Sequence, residues 1–300
     1  MQTFYSHGKL LITSEYLVLK GAKALAIPCN KGQFLKFNLT NSKNLNWKSF
    51  DLNNKIWFDG VFNCENFNCI KSNQKSIAKK LSSILKEIRK LNPEFLSING
   101  GNIKTQLEFN LNWGLGSSST LISNLAQLNK INPYKLLSNT YGGSGYDIAC
   151  SLAKNPIIYE IKNNNYYEIN FSPPFKEKLF FVYLKKKQNS KIEVDRFKKI
   201  KVDEKIIKTI NSITKILSET KDFEEFNYLI KKHEEIISSI INKRSIKILK
   251  FQDFNGEIKS LGAWGGDFIL ASGLDSPSYF KSKGYKTIIG FDDMIYRKKY

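Results

Sequence analysis

The sequence predicts an α+β fold. Segments with the two-residue alternation of strands lie among segments with the three- and four-residue spacing of amphipathic helices, and the two kinds do not alternate regularly. Regular alternation is what a doubly wound parallel sheet requires, so the pattern argues against that architecture. The chain has 300 residues, of which 41% are hydrophobic and 13% aromatic, and this is enough for a large buried core.

Strands are predicted where apolar residues alternate with polar ones or form a short continuous run. The predicted strands are residues 10–13, 16–19, 24–28, 34–39, 104–112, 179–184, 268–271 and 286–291. The asparagine-rich stretches 41–46 and 53–54 are expected to be loops of a β-meander, because asparagine is common in turns.

Helices are predicted where apolar residues recur every three or four positions. The predicted helices are residues 76–90, 118–129, 133–139, 204–218 and 223–242. In the first of them, Ile77, Leu81, Ile84 and Ile88 form one apolar face. His233 lies in the last helix and is expected on its surface.

The asparagine run at residues 163–165 indicates a boundary between two domains. We therefore predict a first domain over residues 1–165 and a second over residues 166–300. The oligomeric state has no signal in the sequence, and a monomer and a homodimer both stay open.

The net charge of +20 comes from lysines spread along the whole chain, so it predicts a solvated basic surface and not a nucleic-acid site. No apolar run reaches the roughly 18–20 residues of a membrane span, and no secretory signal is recognised at the start. The four cysteines are expected to be thiols of a cytoplasmic protein. A positive field still favours polyanionic ligands.

The run Gly114-Leu115-Gly116-Ser117-Ser118-Ser119 lies between a predicted strand and a predicted helix. Glycines let the backbone approach an anion closely, and the first turn of a helix offers unpaired N–H groups. The run therefore predicts a phosphate-binding loop, although it is neither a Walker A loop nor a dinucleotide fingerprint. A serine-rich helix cap is the alternative interpretation.

Three segments, residues 6–16, 114–120 and 260–267, resemble in this order the three motifs of the GHMP kinases. A further segment, Gly-Ser-Gly-Tyr-Asp-Ile-Ala at residues 143–149, is similar to the GYDIA-type members. Tyr16 after Glu15, and Asp267 at the end of the third segment, resemble the pattern of phosphomevalonate kinases. The resemblance implies a ribosomal-protein-S5-like α+β domain at the N-terminus and a ferredoxin-like domain at the C-terminus.

The resemblance also implies the site. It makes Asp147 and Lys9 the catalytic residues and Ser118 a ligand of Mg²⁺. The implied ATP-binding residues are Gly114, Leu115, Gly116, Ser117, Ser118 and Ser119. The implied residues around the acceptor substrate are Gly143, Ser144, Gly145, Tyr146, Gly262, Gly265, Gly266 and Asp267. The implied activity is transfer of the ATP γ-phosphate to phosphomevalonate or mevalonate, a phosphorylated or carboxylated small molecule, without nucleic-acid or membrane partners.

Several positions depart from the family pattern. His7 stands at a usual proline, and Ser14 and Trp264 stand at usual glycines. Residues 131–146 contain no acidic side chain that could be a second Mg²⁺ ligand. A kinase for a sugar or an amino alcohol, a related decarboxylase that uses ATP, and a pseudokinase without turnover therefore remain open.

Overall fold

The computed structural model of the protein describes residues 1–186, 190–262 and 264–298. Ala263 of the third segment lies outside the described residues. The described chain mixes sheets and helices and confirms the predicted α+β class. In the part of the chain that the structure describes, no helix is long and apolar enough to span a bilayer.

The chain forms twelve strands within the described residues. They are β1 Gln2–Leu11, β2 Ala24–Thr40, β3 Asn44–Phe50, β4 Ile56–Asn63, β5 Cys69–Ser72, β6 Gly100–Leu107, β7 Ile157–Glu160, β8 Asn165–Glu168, β9 Leu179–Tyr183, β10 Glu257–Ser260, β11 Phe268–Ser272 and β12 Ile288–Gly290.

Ten α-helices are present over the same described ranges. They are α1 Lys75–Leu91, α2 Ser117–Asn129, α3 Pro133–Thr140, α4 Tyr146–Leu152, α5 Ser190–Lys198, α6 Glu204–Glu219, α7 Phe223–Ile241, α8 Ile246–Lys250, α9 Ser276–Ser282 and α10 Phe291–Met294. All five helices predicted from apolar spacing are confirmed, with ends within one residue of the expected ones. Five short helices were not expected from the sequence pattern, namely α4, α5, α8, α9 and α10.

Several strand predictions are wrong in detail. Residues 24–28 and 34–39 belong to one long strand, β2, and β6 ends at Leu107 rather than at residue 112. The asparagine-rich stretch 41–46 runs into strand β3. Residues predicted extended at 16–19 instead form a 3-10 turn, Leu17–Lys20, because Ser14 and Tyr16 adopt left-handed φ angles of 67° and 59° that turn the chain.

The residues group into two compact units. The first unit contains Met1–Gly8, Lys31–Leu111 and Gly116–Leu152, and the second contains Lys9–Asn30, Asn112–Leu115 and Ala153–Tyr300. The domain boundary at residue 165 stays a prediction, and each unit is discontinuous in the chain. The reason is strand β2, which belongs to the second unit up to Asn30 and to the first unit from Lys31 onwards.

In the first unit, a sheet with the strand order β5-β4-β3-β6-β2 carries helices on one face. Strands β3 and β6 are parallel, and the other neighbours in this order are antiparallel. The core between sheet and helices contains Trp47, Phe58 and Phe62 from the strands with Leu85 and Ile122 from the helices. Burying these large side chains stabilises the unit by roughly 1.5–3 kcal/mol each.

In the second unit, four antiparallel strands have the order β10-β11-β9-β12. The first strand in the chain, β9, lies between the third, β11, and the fourth, β12, and helices connect β9 to β10 and β11 to β12. This is the ferredoxin-like arrangement that the resemblance implies. The same unit also holds the start of β2, which pairs with β7, and β7 pairs with β8.

Candidate functional site

The serine part of the predicted phosphate loop begins helix α2 in the first unit. Gly116 is the N-cap residue, with a left-handed φ of 84° that favours glycine. Ser118 is exposed, whereas the Ser119 hydroxyl is buried and donates to the Gly116 carbonyl at 2.8 Å. The first backbone N–H groups of a helix have no partner within the helix, so this turn can bind an anion. Of the two serines, Ser118 has the more accessible hydroxyl.

A network of neutral side chains joins helix α2 to strands β1 and β2. The Thr120 hydroxyl donates to Gln33 Oε1 at 2.8 Å, and the Asn124 amide donates to the Gln33 carbonyl at 2.9 Å. Ser6 in turn donates to Asn124 Oδ1 at 2.8 Å. All four side chains are buried. These hydrogen bonds fix the start of the helix on the sheet without burying a charge.

Asp147 lies in the first turn of helix α4, which packs on α2 within the first unit. The buried hydroxyls of Ser123 on α2 and Ser151 on α4 are 2.6 Å apart. Because Ser151 donates to the Ile148 carbonyl at 2.9 Å, it accepts the hydrogen bond from Ser123. The contact fixes α4, and with it half-buried Asp147, on the helix that carries the loop serines.

The turn before α4 depends on glycine. Gly143 and Gly145 have φ angles of 117° and 87°, which other residues rarely adopt. Ser144 between them is buried, and Tyr146 is half-buried. Residues 143–146, the first four of those predicted to surround the acceptor, thus form the tight turn before the helix of Asp147.

In the second unit, residues of all three motif-like segments meet. The Lys9 backbone N–H donates to the Leu115 carbonyl at 3.0 Å. Gly114 has a φ of 68°, and a Cβ atom added to it would overlap the carboxylate of Asp267. Glycine is required at position 114 both by the backbone angle and by this close approach. Lys9, Gly114 and Asp267 are 258 residues apart from first to last in the chain and lie together here.

The glycines of the third segment also adopt left-handed angles at two positions, with φ of 69° for Gly262 and 78° for Gly265. Trp264, which stands at a usual glycine, is 4% exposed. Its backbone N–H donates to the Tyr16 hydroxyl at 2.9 Å, and its indole N–H donates to the Arg244 carbonyl at 3.1 Å. The bulk of Trp264 is therefore packed into the second unit.

Tyr16 links the first and third segments. Its ring stacks on Phe197 with the ring centroids 5.3 Å apart, while its hydroxyl accepts from Trp264. Burial raises the pKa of Tyr16 to about 12, so the phenol stays protonated at physiological pH. The tyrosine thus acts as a fixed, neutral anchor for the glycine-rich segment.

A buried ionic cluster in the second unit was missed by sequence reasoning. Lys259, with no exposed surface, contacts a carboxylate oxygen of Glu15 and lies 3.1 Å from Glu234 Oε1. Its ammonium also donates to the Ser260 carbonyl at 2.8 Å. Glu234 accepts from both the backbone N–H and the hydroxyl of Ser260, at 3.0 Å each. The cluster joins Glu15 of the first segment to strand β10, which leads into the third.

The prediction that His233 lies on the surface is wrong, because the side chain is fully buried. Its Nε2 accepts the Ser14 backbone N–H at 2.9 Å, and burial lowers its pKa well below the usual value, so the ring is neutral. The sequence did carry a signal: Phe226, Ile230, His233 and Ile237 follow helical spacing on the buried face of α7.

Glu15, His233 and Glu234 are close enough to form a metal site. Two contacts argue against a metal ion there. Lys259 already contacts both carboxylates, and His233 Nε2 already accepts a hydrogen bond. Burial, opposed by Lys259, raises the pKa of Glu15 to about 7 and also raises that of Glu234. The cluster therefore combines two carboxylates with one buried cation, and it supports the structure of the adjacent segments.

All four cysteines are present as thiols, as expected; three are buried and Cys69 is exposed. Burial raises the pKa of Cys29, and the ammonium of Lys9 acts in the opposite direction. The thiol of Cys29 is therefore protonated and unreactive.

No family profile matches the chain, and no curated protein matches it in sequence. Solved structures do match its fold. A mevalonate kinase is 20% identical with a TM-score of 0.69, and the match covers 96% of this chain and 98% of that one. Streptococcus pneumoniae phosphomevalonate kinase, in complex with phosphomevalonate and AMPPNP, is 16% identical with a TM-score of 0.67, over 95% of both chains.

Lactococcus lactis galactokinase complexed with galactose is 14% identical, with a TM-score of 0.70 over 99% of this chain and 94% of that one. These proteins are members of the GHMP kinase superfamily and act on different acceptors. Identities of this size establish architecture, and the matches span nearly the full length of each chain. The protein has the fold of the GHMP kinases, which confirms the resemblance found in its sequence.

Proposed function

We propose that the protein is an ATP-dependent phosphotransferase that transfers the γ-phosphate to phosphomevalonate or mevalonate. The observation that carries this proposal is the meeting of the three motif-like segments in the second unit. The Lys9 backbone N–H donates to the Leu115 carbonyl, and the Asp267 carboxylate packs against Gly114. The three segments that contribute these residues are far apart in the sequence. These contacts bring together the segments for which the resemblance implies phosphate binding.

In the proposed reaction, the acceptor hydroxyl oxygen forms a bond to the γ-phosphorus while the bond to the β,γ-bridging oxygen breaks and ADP leaves. Asp147 accepts the proton of the hydroxyl. Lys9 stabilises the negative charge on the transferred group. The backbone N–H groups at the start of α2 bind the phosphates of ATP.

The residues fit a Mg²⁺ ion that is held mainly by the nucleotide. Ser118 offers an exposed hydroxyl, and the stretch 131–146 offers no carboxylate. Mg²⁺ retains several waters and commonly binds one or two protein oxygens together with substrate phosphates. When bound, the ion would neutralise phosphate charge during transfer.

The choice of acceptor is supported by two features of the second unit. Tyr16 follows Glu15, and Asp267 ends the third segment, as in the phosphomevalonate kinase pattern described above. Trp264, the largest departure from the family pattern, is anchored by Tyr16 and Arg244, so its bulk does not argue for loss of activity.

The test is ADP release from ATP with mevalonate, phosphomevalonate, diphosphomevalonate, homoserine and galactose as acceptors. We expect turnover with phosphomevalonate or mevalonate. Measurable ATP binding without ADP release for any acceptor would refute the enzyme and leave a pseudokinase, and turnover with galactose or homoserine alone would refute the isoprenoid acceptor.

Asp147→Asn tests the proposed base. We expect kcat to fall by about 10²–10⁴-fold while the Kd of ATP stays unchanged, because the amide cannot accept the hydroxyl proton. The matched control is Asp275→Asn, an exposed carboxylate at the start of α9 that caps no backbone N–H. Near-normal kcat in Asp147→Asn would remove the assignment.

A further inference from the structure

The chain that leaves strand β9 runs beside the end of the third segment. The Leu184 N–H donates to the Asp267 carbonyl at 2.8 Å, and the Asp267 N–H donates to the Lys186 carbonyl at 2.7 Å. The first bond continues the antiparallel register of β9 and β11, and the second departs from it, because the Asp267 N–H reaches Lys186 and not Leu184. They fix the backbone of Lys186 next to that of Asp267.

Asp267 in turn lies at the predicted phosphate loop. Its carboxylate packs where a side chain at Gly114 would otherwise stand. Two further contacts hold the same stretch: the Tyr183 hydroxyl donates to the Asn112 carbonyl at 3.1 Å, and the ring of Trp113 meets Phe268 edge-on at 5.5 Å. The backbone of Lys186 therefore lies next to Asp267, the residue whose carboxylate approaches Gly114 of the loop.

Two successive lysines at this point differ in what they contact. Lys185 has a left-handed φ of 57°, and its ammonium donates to the Gly284 carbonyl at 2.7 Å. Lys186 is exposed, and within the described ranges its ammonium forms neither an ion pair nor a hydrogen bond. One lysine is thus bound to the protein, while its neighbour carries an available cation on a flexible four-carbon stem.

We propose that Lys186 binds a phosphate group carried by the acceptor substrate. This deepens the proposed function and rests on it. The phosphates of ATP already have the glycine–serine loop and the start of α2 as donors, whereas none of the groups assigned so far would neutralise a phosphate on the acceptor. The backbone of Lys186 lies next to that of Asp267. An ammonium on a side chain that starts at this position supplies that charge, and it would make the site selective for an acceptor that is already phosphorylated.

The test compares Lys186→Met with Lys185→Met in the full-length protein. Both remove one positive charge at adjacent positions, but only Lys186 has an available ammonium. The probes are phosphomevalonate, mevalonate and ATP, and the measurement is the dissociation constant of each by calorimetry. Binding requires no turnover, so the result is independent of whether the proposed reaction occurs.

For Lys186→Met we expect the Kd of phosphomevalonate to rise by about tenfold to a hundredfold, the range for losing a hydrogen bond to a charged group. The Kd values of mevalonate and ATP should not change. Lys186→Arg should retain most of the phosphomevalonate affinity, and Lys185→Met should bind all three probes like the wild type.

Three outcomes would overturn the proposal. If both methionine variants bound phosphomevalonate equally weakly, only the general positive charge of the protein would matter for its binding. Weaker ATP binding with unchanged phosphomevalonate binding would assign Lys186 to the nucleotide. Unchanged binding of all probes in Lys186→Met would remove the residue from the site. Absence of ADP release in the wild type would instead refute the proposed function.

Discussion

The first unit fixes its candidate site residues with neutral groups, whereas the second unit uses buried ions for the same purpose. In the first, hydroxyls and amides hold α2, and the Ser123–Ser151 contact holds α4 with Asp147. In the second, Lys259 joins Glu15 to Glu234 beside the glycine-rich segment. The neutral network costs little desolvation and does not depend on pH. The ionic cluster sets two carboxyl groups against one cation, so its contribution to stability depends on their protonation.

The largest effect is expected from removing the cation of the buried ionic cluster. Lys259→Met should lower the free energy of unfolding by about 3–5 kcal/mol, because it leaves two buried carboxylates without their cation. Denaturant titration measures the loss. The triple variant Lys259→Met, Glu15→Gln, Glu234→Gln is the control, and it should recover much of the stability because no unpaired charge remains. A loss below about 1 kcal/mol in the single variant would show that the cluster is not tightly coupled.

The next effect is a pH dependence that only the ionic side should show. The pKa of Glu15 is raised from 4.5 to about 7 in the folded protein, so the folded state binds the extra proton between these values. The contribution of Glu15 to stability is therefore complete below pH 4.5 and is lost as the pH rises towards 7, by about 3 kcal/mol.

The measurement is the free energy of unfolding of wild type and Glu15→Gln from pH 4.5 to 8. Glu234, whose pKa is also raised, acts in the same direction, whereas neutral His233, whose pKa is lowered, favours stability as the pH rises towards 6.5. The difference between the two proteins isolates Glu15, and it should shift in favour of the variant as the pH rises. A difference that does not change with pH would contradict the raised pKa.

The smallest effect tests the neutral side. Ser123→Ala should lower the free energy of unfolding by about 1 kcal/mol, the usual value for one hydrogen bond, and by the same amount at pH 5 and pH 8. Ser138→Ala, at an exposed position on α3 in the same unit, is the matched control. If the loss in Ser123→Ala varied with pH, the contrast between a neutral and an ionic support would fail.

Part of the local structure followed closely from the sequence. Apolar spacing located five helices to within one residue at each end, and the glycine–serine run was correctly expected to precede a helix. The order of the three motif-like segments indicated the fold, which the full-length structural matches confirm. These features depend on periodicity and on glycine, both of which act over a few residues.

The roles of the site residues, and the domain boundary at residue 165, remain predictions. The tertiary structure decided which distant groups meet. Glu15 and Lys259 are 244 positions apart, and no local pattern pairs them. His233 looked like a surface residue because one polar side chain on a helix is usually solvated. In the fold it lies on the buried face of α7, where its Nε2 accepts the Ser14 N–H.

The sequence by itself determined five of the ten described helices, the glycine-dependent turns and the family resemblance, since each of these depends on short segments of the chain. The tertiary structure alone decided that Asp267 packs on Gly114, that Trp264 is anchored by Tyr16 and that Lys186 has an available ammonium. The physical reason is that burial and charge pairing depend on contacts between remote segments, and the free energy of a buried ion is set by its neighbours in space.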